Sequence, residues 1–297
     1  MENAFVDGSA ELVVTDLSTV PDDPPPDLRY RHRTHLLPSV KELWARREMM
    51  VTLAERDIRS SYKQATLGIG WALLTPIAQL VIFTLIFTHV KSFQVKNVPY
   101  PLYAFAGIMA WNYFSSSLSS GGNSMLSNMP LVQKTYFPRA CFPLSQMLEA
   151  GVYTAIGLLP LTLLFFIYGF APHVQVLWWA PVFIVVELAF TAGVTLAFSA
   201  MVVHVRDLVQ VMGLLTQLGL LATPVIWQFD RIPVAWQPVY SFFNPLGPVI
   251  DGLRRTMLEG RSPDLALMVV AAIGAALYLA GGYALFKRLE VSFADIT

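Results

Sequence analysis

Residues 54–76, AERDIRSSYKQATLGIGWALLTP, pass without a break from a charged segment into the first long apolar run of the chain. Lysine and arginine stop at Lys63, and between 67 and 90 the only ionisable residue is His89. That run is long enough for the roughly 20 apolar residues with which a helix crosses a bilayer core. The stretch therefore reads as a joint: a surface-lying helix on its N-terminal side, a membrane span on the other.

Working back from the joint, Ser39 and Glu42 stand three apart after Pro38, the pattern of a reciprocal N-terminal cap. From there Val40, Leu43, Trp44, Met50, Val51, Ala54 and Ile58 recur at helical spacing, opposite Lys41, Glu48, Thr52, Arg56 and Arg59. This is the expected form of an amphipathic helix in the interface plane, over 39–63. Residues 1–36 are polar and Pro-rich, with too little apolar surface to offset the entropy of ordering, and are expected to be a disordered extension on the cytoplasmic side. No basic segment followed by an apolar core occurs in the first thirty residues, so insertion is expected to be signalled by the spans themselves.

Working forward, apolar runs at about 67–90, 101–120, 143–169, 176–203, 208–228 and 265–286 predict six spans within a membrane domain of 37–297, an all-α polytopic architecture. The chain is 55% hydrophobic and only 13% charged, against about 25% charged in soluble domains, which excludes an ordinary soluble fold. Six spans put both termini on one side, and fourteen of the twenty Lys and Arg residues fall there, which makes it the cytoplasmic side of a multi-pass protein. Arg254, Arg255 and Arg261 form an awkward cationic cluster on the outward side. The outward segment 229–264 is long and apolar, and prolines at 233, 238, 245 and 248 forbid one continuous helix. Short re-entrant or interfacial helices before the last span are expected; irregular backbone at membrane depth is tolerated where it is buried in protein or lines a wet cavity.

Net charge is zero, so no global field recruits nucleic acid. One cysteine, Cys141, rules out an intramolecular disulfide or a cysteine-rich metal site, and no metal-binding cluster is expected. The sequence holds no phosphate-binding loop G-x-x-x-x-G-K-[ST], no H-E-x-x-H and no G-x-S-x-G, so neither nucleotide cleavage nor hydrolytic catalysis has a seat, and no cofactor is expected in this chain. Glu149 and Glu187 are isolated intramembrane acids, too few for a proton relay.

Aromatic residues carry more information. Pro76, Gln79, Phe83 and Phe87 share one face of the first span; Tyr103, Gly107, Trp111 and Phe114 share one of the second, which runs on into Ser115–Ser120. Rings beside hydroxyls suit a sugar polymer, whose C–H faces stack on aromatics while its hydroxyls exchange polar partners. Helix packing and lipid contact account for the same residues equally simply. On this reading the candidate path residues are Trp71, Phe83, Phe87, Tyr103, Trp111, Phe114, Trp227, Tyr240 and Phe243. Between the second and third spans, breakers at Gly121, Gly122, Pro130, Pro138 and Pro143 bound a segment, 123–139, in which a short helix fits around 123–136 and ends in a knob of Lys134, Tyr136, Phe137 and Arg139.

These features together resemble the permease subunits of type 2 ABC exporters, in the branch that exports polysaccharides such as O-antigen, capsule, teichoic acid or galactan. The resemblance spans about 39–297 and rests on Arg56-Asp57 and Tyr62, Leu67-Gly68 with Trp71 and Pro76, Lys134 with Tyr136-Phe137-Pro138-Arg139, Arg206-Asp207 before Pro224-Val225, Asn244-Pro245, and Glu290 with Phe293-Ala294-Asp295. It implies a homodimer in the bacterial inner membrane with two separate ATPase subunits that bind ATP and magnesium, a lipid-linked polysaccharide as cargo, and coupling to the ATPase through 123–139. Arg56, Asp57, Arg59, Lys134, Tyr136, Phe137 and Arg139 become the candidate coupling residues. A membrane enzyme acting on lipid-linked sugars, an ATP-independent carrier and an exporter of another amphipathic substrate stand as alternatives.

Overall fold

The computed structural model describes residues 45–63, 70–87, 98–134 and 138–294, all within one compact unit, 35–297. The expected 1–36 extension, the Ser39–Glu42 cap, the turn through Gly68 and the tips Tyr136 and Phe137 lie outside these residues. Among the described residues every regular element is helical. In chain order they are α1 (Arg47–Tyr62), α2 (Gly70–Phe87), α3 (Tyr100–Ser116), α4 (Gly122–Ser127), α5 (Met129–Lys134), α6 (Cys141–Ile167), α7 (Gln175–His204), α8 (Leu208–Ala222), α9 (Gln237–Phe243), α10 (Leu246–Arg254) and α11 (Leu265–Glu290).

The helix α3 is the hub. Fourteen of its 17 residues are buried, as expected of a helix that is apolar on every side. It packs on α2, α6 and α10. A wide π-helical turn, Ser117–Gly121, joins it to α4 without breaking the chain's direction. The turn lies against α7 and α8, where added β-carbons on Gly121 and Gly122 would run into Thr195 and Met212. Asn128 then leaves helical geometry (φ −109°, ψ 19°), so the single helix expected over 123–136 is two, α4 and α5.

The most extensive packing joins α7 and α11, and it depends on small residues: Gly193 and Gly282 bring the two backbones into contact. Gly274 does the same for α11 against the Phe242 carbonyl of α9.

Among the described residues four helices, α2, α6, α7 and α11, are long and apolar enough to cross a membrane. The run at 101–120 is helical from Tyr100 onward, whereas the run at 208–228 stays helical only to Ala222. Pro224 explains the early stop, because proline disfavours α geometry in the residue before it, and Thr223 is extended at ψ 143°. The helix α1 packs along α6 through Met50, Leu53, Ala54 and Asp57, whereas Val51, assigned to the apolar stripe, is exposed.

Candidate functional site

Beyond Ala222 the backbone is irregular yet buried from Thr223 to Ile226, so its carbonyls need partners from elsewhere. Arg254, at the end of α10 and only 2% exposed, supplies them. Its Nη1 donates to the Pro224 carbonyl at 2.6 Å and to that of Trp227 at 3.4 Å, its Nη2 donates to the Val225 carbonyl, and its Nε donates to the Tyr103 carbonyl of α3 at 2.9 Å. The guanidinium lies over the Tyr103 ring, 3.7 Å from its centroid. Hydroxyls complete the set: Tyr100 to the Ile226 carbonyl at 3.3 Å, Tyr103 to that of Trp227 at 3.4 Å, and Tyr240 to that of Ala222 at 2.8 Å. Asn244 joins Thr223 and Tyr240 through its amide nitrogen, at 2.8 and 2.9 Å. A planar fork of donors suits this task, since one side chain reaches several carbonyls at once.

The neighbouring cations are also engaged. Arg255 pairs with Asp251 at 2.6 Å and with Asp230 at 2.9 Å, and Arg261 lies 3.8 Å from Glu259. Burial pushes the Asp251 carboxyl up to about 6, against the opposing pull of the Arg255 guanidinium. The cluster that looked awkward on an outward loop is thus one internal clamp and two paired arginines. Its sequence signal was present: Asp251 stands four residues before Arg255, and the proline that breaks α8 creates a need for donors.

On the other flank of α3 a cavity of about 380 Å³ opens between α2, α3 and α6, lined by Trp71, Thr75, Gln79, Asn112, Ser115 and Tyr153 among others. The Asn112 amide donates to the Gln79 side-chain oxygen at 3.0 Å. Each amide has further donor or acceptor capacity beyond that bond. Trp71 is 51% exposed, so its ring face is available beside these polar groups. An aromatic platform next to amides and hydroxyls is the chemistry that sugar rings require.

A second polar cavity, of about 450 Å³, lies where α1, α4 and α6 meet. Asp57 accepts from Arg56 Nε and from Gln146 Nε2, both at 2.7 Å, and Arg56 Nη2 donates to Asn128 at 3.1 Å. One acid thereby holds α1 to α6, and one arginine holds α1 to the break between α4 and α5. Asp57→Ala is expected to loosen α1 from α6, raising the rate of protease cleavage within α1 by severalfold while leaving membrane insertion intact; an unchanged cleavage rate would reduce Asp57 to a surface residue.

The remaining predicted residues are distributed unevenly. Tyr103, Trp111 and Phe114 are buried: Trp111 lies tilted against Phe114 (5.3 Å), Phe114 stacks on Phe190 (5.3 Å), and Trp111 also closes on Gly219 of α8. Phe83 and Phe87 are half-buried against the same core, and Trp227 is half-buried beside it. Tyr240 packs edge-on against Phe229, and Phe243 is 64% exposed. The face read from α3 therefore points into protein in the single chain; helical spacing gives a face, but not what covers it. Arg59 pairs with Glu55 within α1. Arg139 donates to the Glu290 carbonyl and lies 5.6 Å from the Phe293 ring, so it is engaged with the far end of α11 rather than projecting as part of a knob. Lys134 ends α5. Glu149 accepts from Tyr153 at 2.8 Å. The described residues contain no group of acids, histidines and cysteine suited to a metal ion.

The described residues thus form a helical body with helices long and apolar enough to cross a membrane and an irregular, arginine-clamped segment before the last of them. The sequence profile of the ABC-2 type transporter family matches residues 49–258, and the chain belongs to that family. It is similar to the O-antigen export system permease protein RfbA of Klebsiella pneumoniae, 27% identical over 84% of this chain and 95% of that protein. It is also similar to the RfbA permease of Myxococcus xanthus, 27% identical over 86% of this chain and 98% of that one. The polysialic acid transport protein KpsM of Escherichia coli is 22% identical over 79% of this chain and 91% of its own length.

Proposed function

We propose that this chain is the channel-forming permease of an ATP-driven exporter, that it works as a homodimer with two separate ATPase subunits, and that it moves a lipid-linked polysaccharide out across the bacterial inner membrane. The observation that carries the reading is the groove of Trp71, Gln79, Asn112 and Ser115, which offers sugar-suited contacts within a body similar along most of its length to export permeases of surface polysaccharides. ATP and magnesium belong to the partner subunit, in keeping with the absence of a phosphate-binding loop from the sequence.

In this reading α2, α3, α6, α7, α8 and α11 are the six spans and both termini are cytoplasmic. Two spans are short: α3, with 17 residues, is continued by the π-helical turn, and α8, with 15 residues, is about 22 Å long at 1.5 Å per residue, with the irregular backbone after it making up the depth. The internal engagement of Arg254 and the pairing of Arg255 support the orientation, since neither is a free loop cation of the kind that sets topology. Trp71, Trp227, Tyr240 and Phe243 contact the passing polymer; Phe83, Phe87, Tyr103, Trp111 and Phe114 form the wall behind them. Residues 123–139 and α1 face the ATPase.

Depletion of the protein tests the reading. One envelope polysaccharide, still attached to its lipid, should accumulate inside the cell and disappear from the surface. An unchanged surface glycan profile after depletion would contradict it, and a substrate sugar that fails to be converted would favour a membrane enzyme.

A further inference from the structure

An apolar cavity beside α3 is distinct from the polar groove and abuts the clamp segment. It measures about 580 Å³ and lies between α3, α6, α7 and the α10 end of the clamp segment, with Tyr113, Leu253 and Met257 among its lining residues. Its rim includes Leu158, Leu177 and Ile184, which are 51%, 69% and 53% exposed and continue the apolar flank of α6 and α7. One acid, Glu187, lines it, near the middle of α7. The Glu187 Oε1 is buried and has no hydrogen-bond partner among the described residues. A buried carboxyl oxygen left without a donor is costly, and buried polar atoms normally find partners.

Cavity and acid together point to a ligand of definite chemistry. The volume falls within the range of small-molecule sites, the walls are apolar, and the only unmet polar requirement is for a donor. We infer that the cavity between α6 and α7 binds an apolar molecule, entering from the hydrocarbon phase, that carries one hydrogen-bond donor, a hydroxyl or an amine, which meets the Glu187 carboxyl. Such an occupant touches Val249, Leu253 and Met257 of the clamp segment, and so bears on the packing of α10. The site is independent of which polymer is exported.

The test uses the purified full-length protein in lipid nanodiscs with a diazirine-bearing 1-decanol as photoprobe, its attachment sites mapped by mass spectrometry. Labelling should be saturable and fall on peptides of α7 and α10 that line the cavity. Unlabelled 1-decanol or decylamine should compete at concentrations about tenfold below those needed for methyl decyl ether, the ratio that roughly one hydrogen bond supplies. Whichever donor competes better identifies the ligand as an alcohol or an amine. Glu187→Leu removes the carboxyl without opening space, and should bring both donors to the level of the ether. Leu253→Trp fills the cavity and should abolish saturable labelling. Equal competition by the ether in the native protein, a donor preference that survives Glu187→Leu, or saturable labelling that survives Leu253→Trp would each overturn the assignment.

Discussion

Replacing Arg254 by methionine is expected to cost the folded protein about 3 kcal/mol or more, because several buried carbonyls lose their donors at once and each unsatisfied buried group costs roughly 1 to 3 kcal/mol. The carbonyls concerned, of Tyr103, Pro224, Val225 and Trp227, come from two segments, α3 and the turn after α8, so the loss separates α10 from both. Arg254→Lys should fall between: it keeps the charge, but a single ammonium lacks the planar fork that spans these acceptors. The measurement is the unfolding midpoint of the purified protein in mild detergent, with the yield of folded protein beside it. A methionine variant as stable as the native protein would show that water, not Arg254, satisfies the turn. Transport measured per folded complex should fall further than stability alone explains, since the turn holds Trp227 and Tyr240, which are proposed to contact the polymer.

The second large effect is expected where α7 and α11 touch. An added β-carbon on Gly282 would collide with the backbone of Gly193, including its carbonyl oxygen, and backbone cannot rotate away as a side chain can. Gly282→Ala should therefore destabilise by about 1 to 3 kcal/mol, the usual range for overpacking. Its neighbour provides the control: a β-carbon on Gly281 meets nothing within 4 Å, and Gly281→Ala should be neutral or gain up to about 1 kcal/mol from helix propensity. Equal effects at the two positions, read from the same unfolding midpoints, would mean that the two helices are free to separate.

These cases show which parts of the molecule can be read from its residues. Long apolar runs determined helices directly: the run assigned to 143–169 is Cys141–Ile167, that at 176–203 is Gln175–His204, and that at 265–286 extends to Glu290. The prolines of 229–264 were equally legible, and the segment is built of two short helices, α9 and α10, joined at Asn244-Pro245, with single 3₁₀ turns ahead of them. Overrunning α8 by six residues came from weighing the hydropathy of Pro224–Ile226 above the geometry of the proline. Side-chain roles were less legible, because they depend on what lies opposite. Arg254 looks like a loop cation in one dimension and is the donor for a broken backbone in three. Trp111 and Phe114 occupy a helical face, yet Gly219 of α8 and Phe190 of α7 cover them. The pairing of Gln79 with Asn112 joins residues 33 apart, beyond any local pattern.

We propose that this chain provides a path through which an ATPase drives a polysaccharide outward. The most direct test reconstitutes it, with the ATPase that copurifies with it, in inside-out vesicles, and supplies lipid-linked polysaccharide at the outer face. Polymer is expected to become protected in the lumen only when ATP is hydrolysed, and Asp57→Ala is expected to lower the amount protected per complex. ATP hydrolysis with no polymer entering, or entry that proceeds equally without ATP, would contradict it.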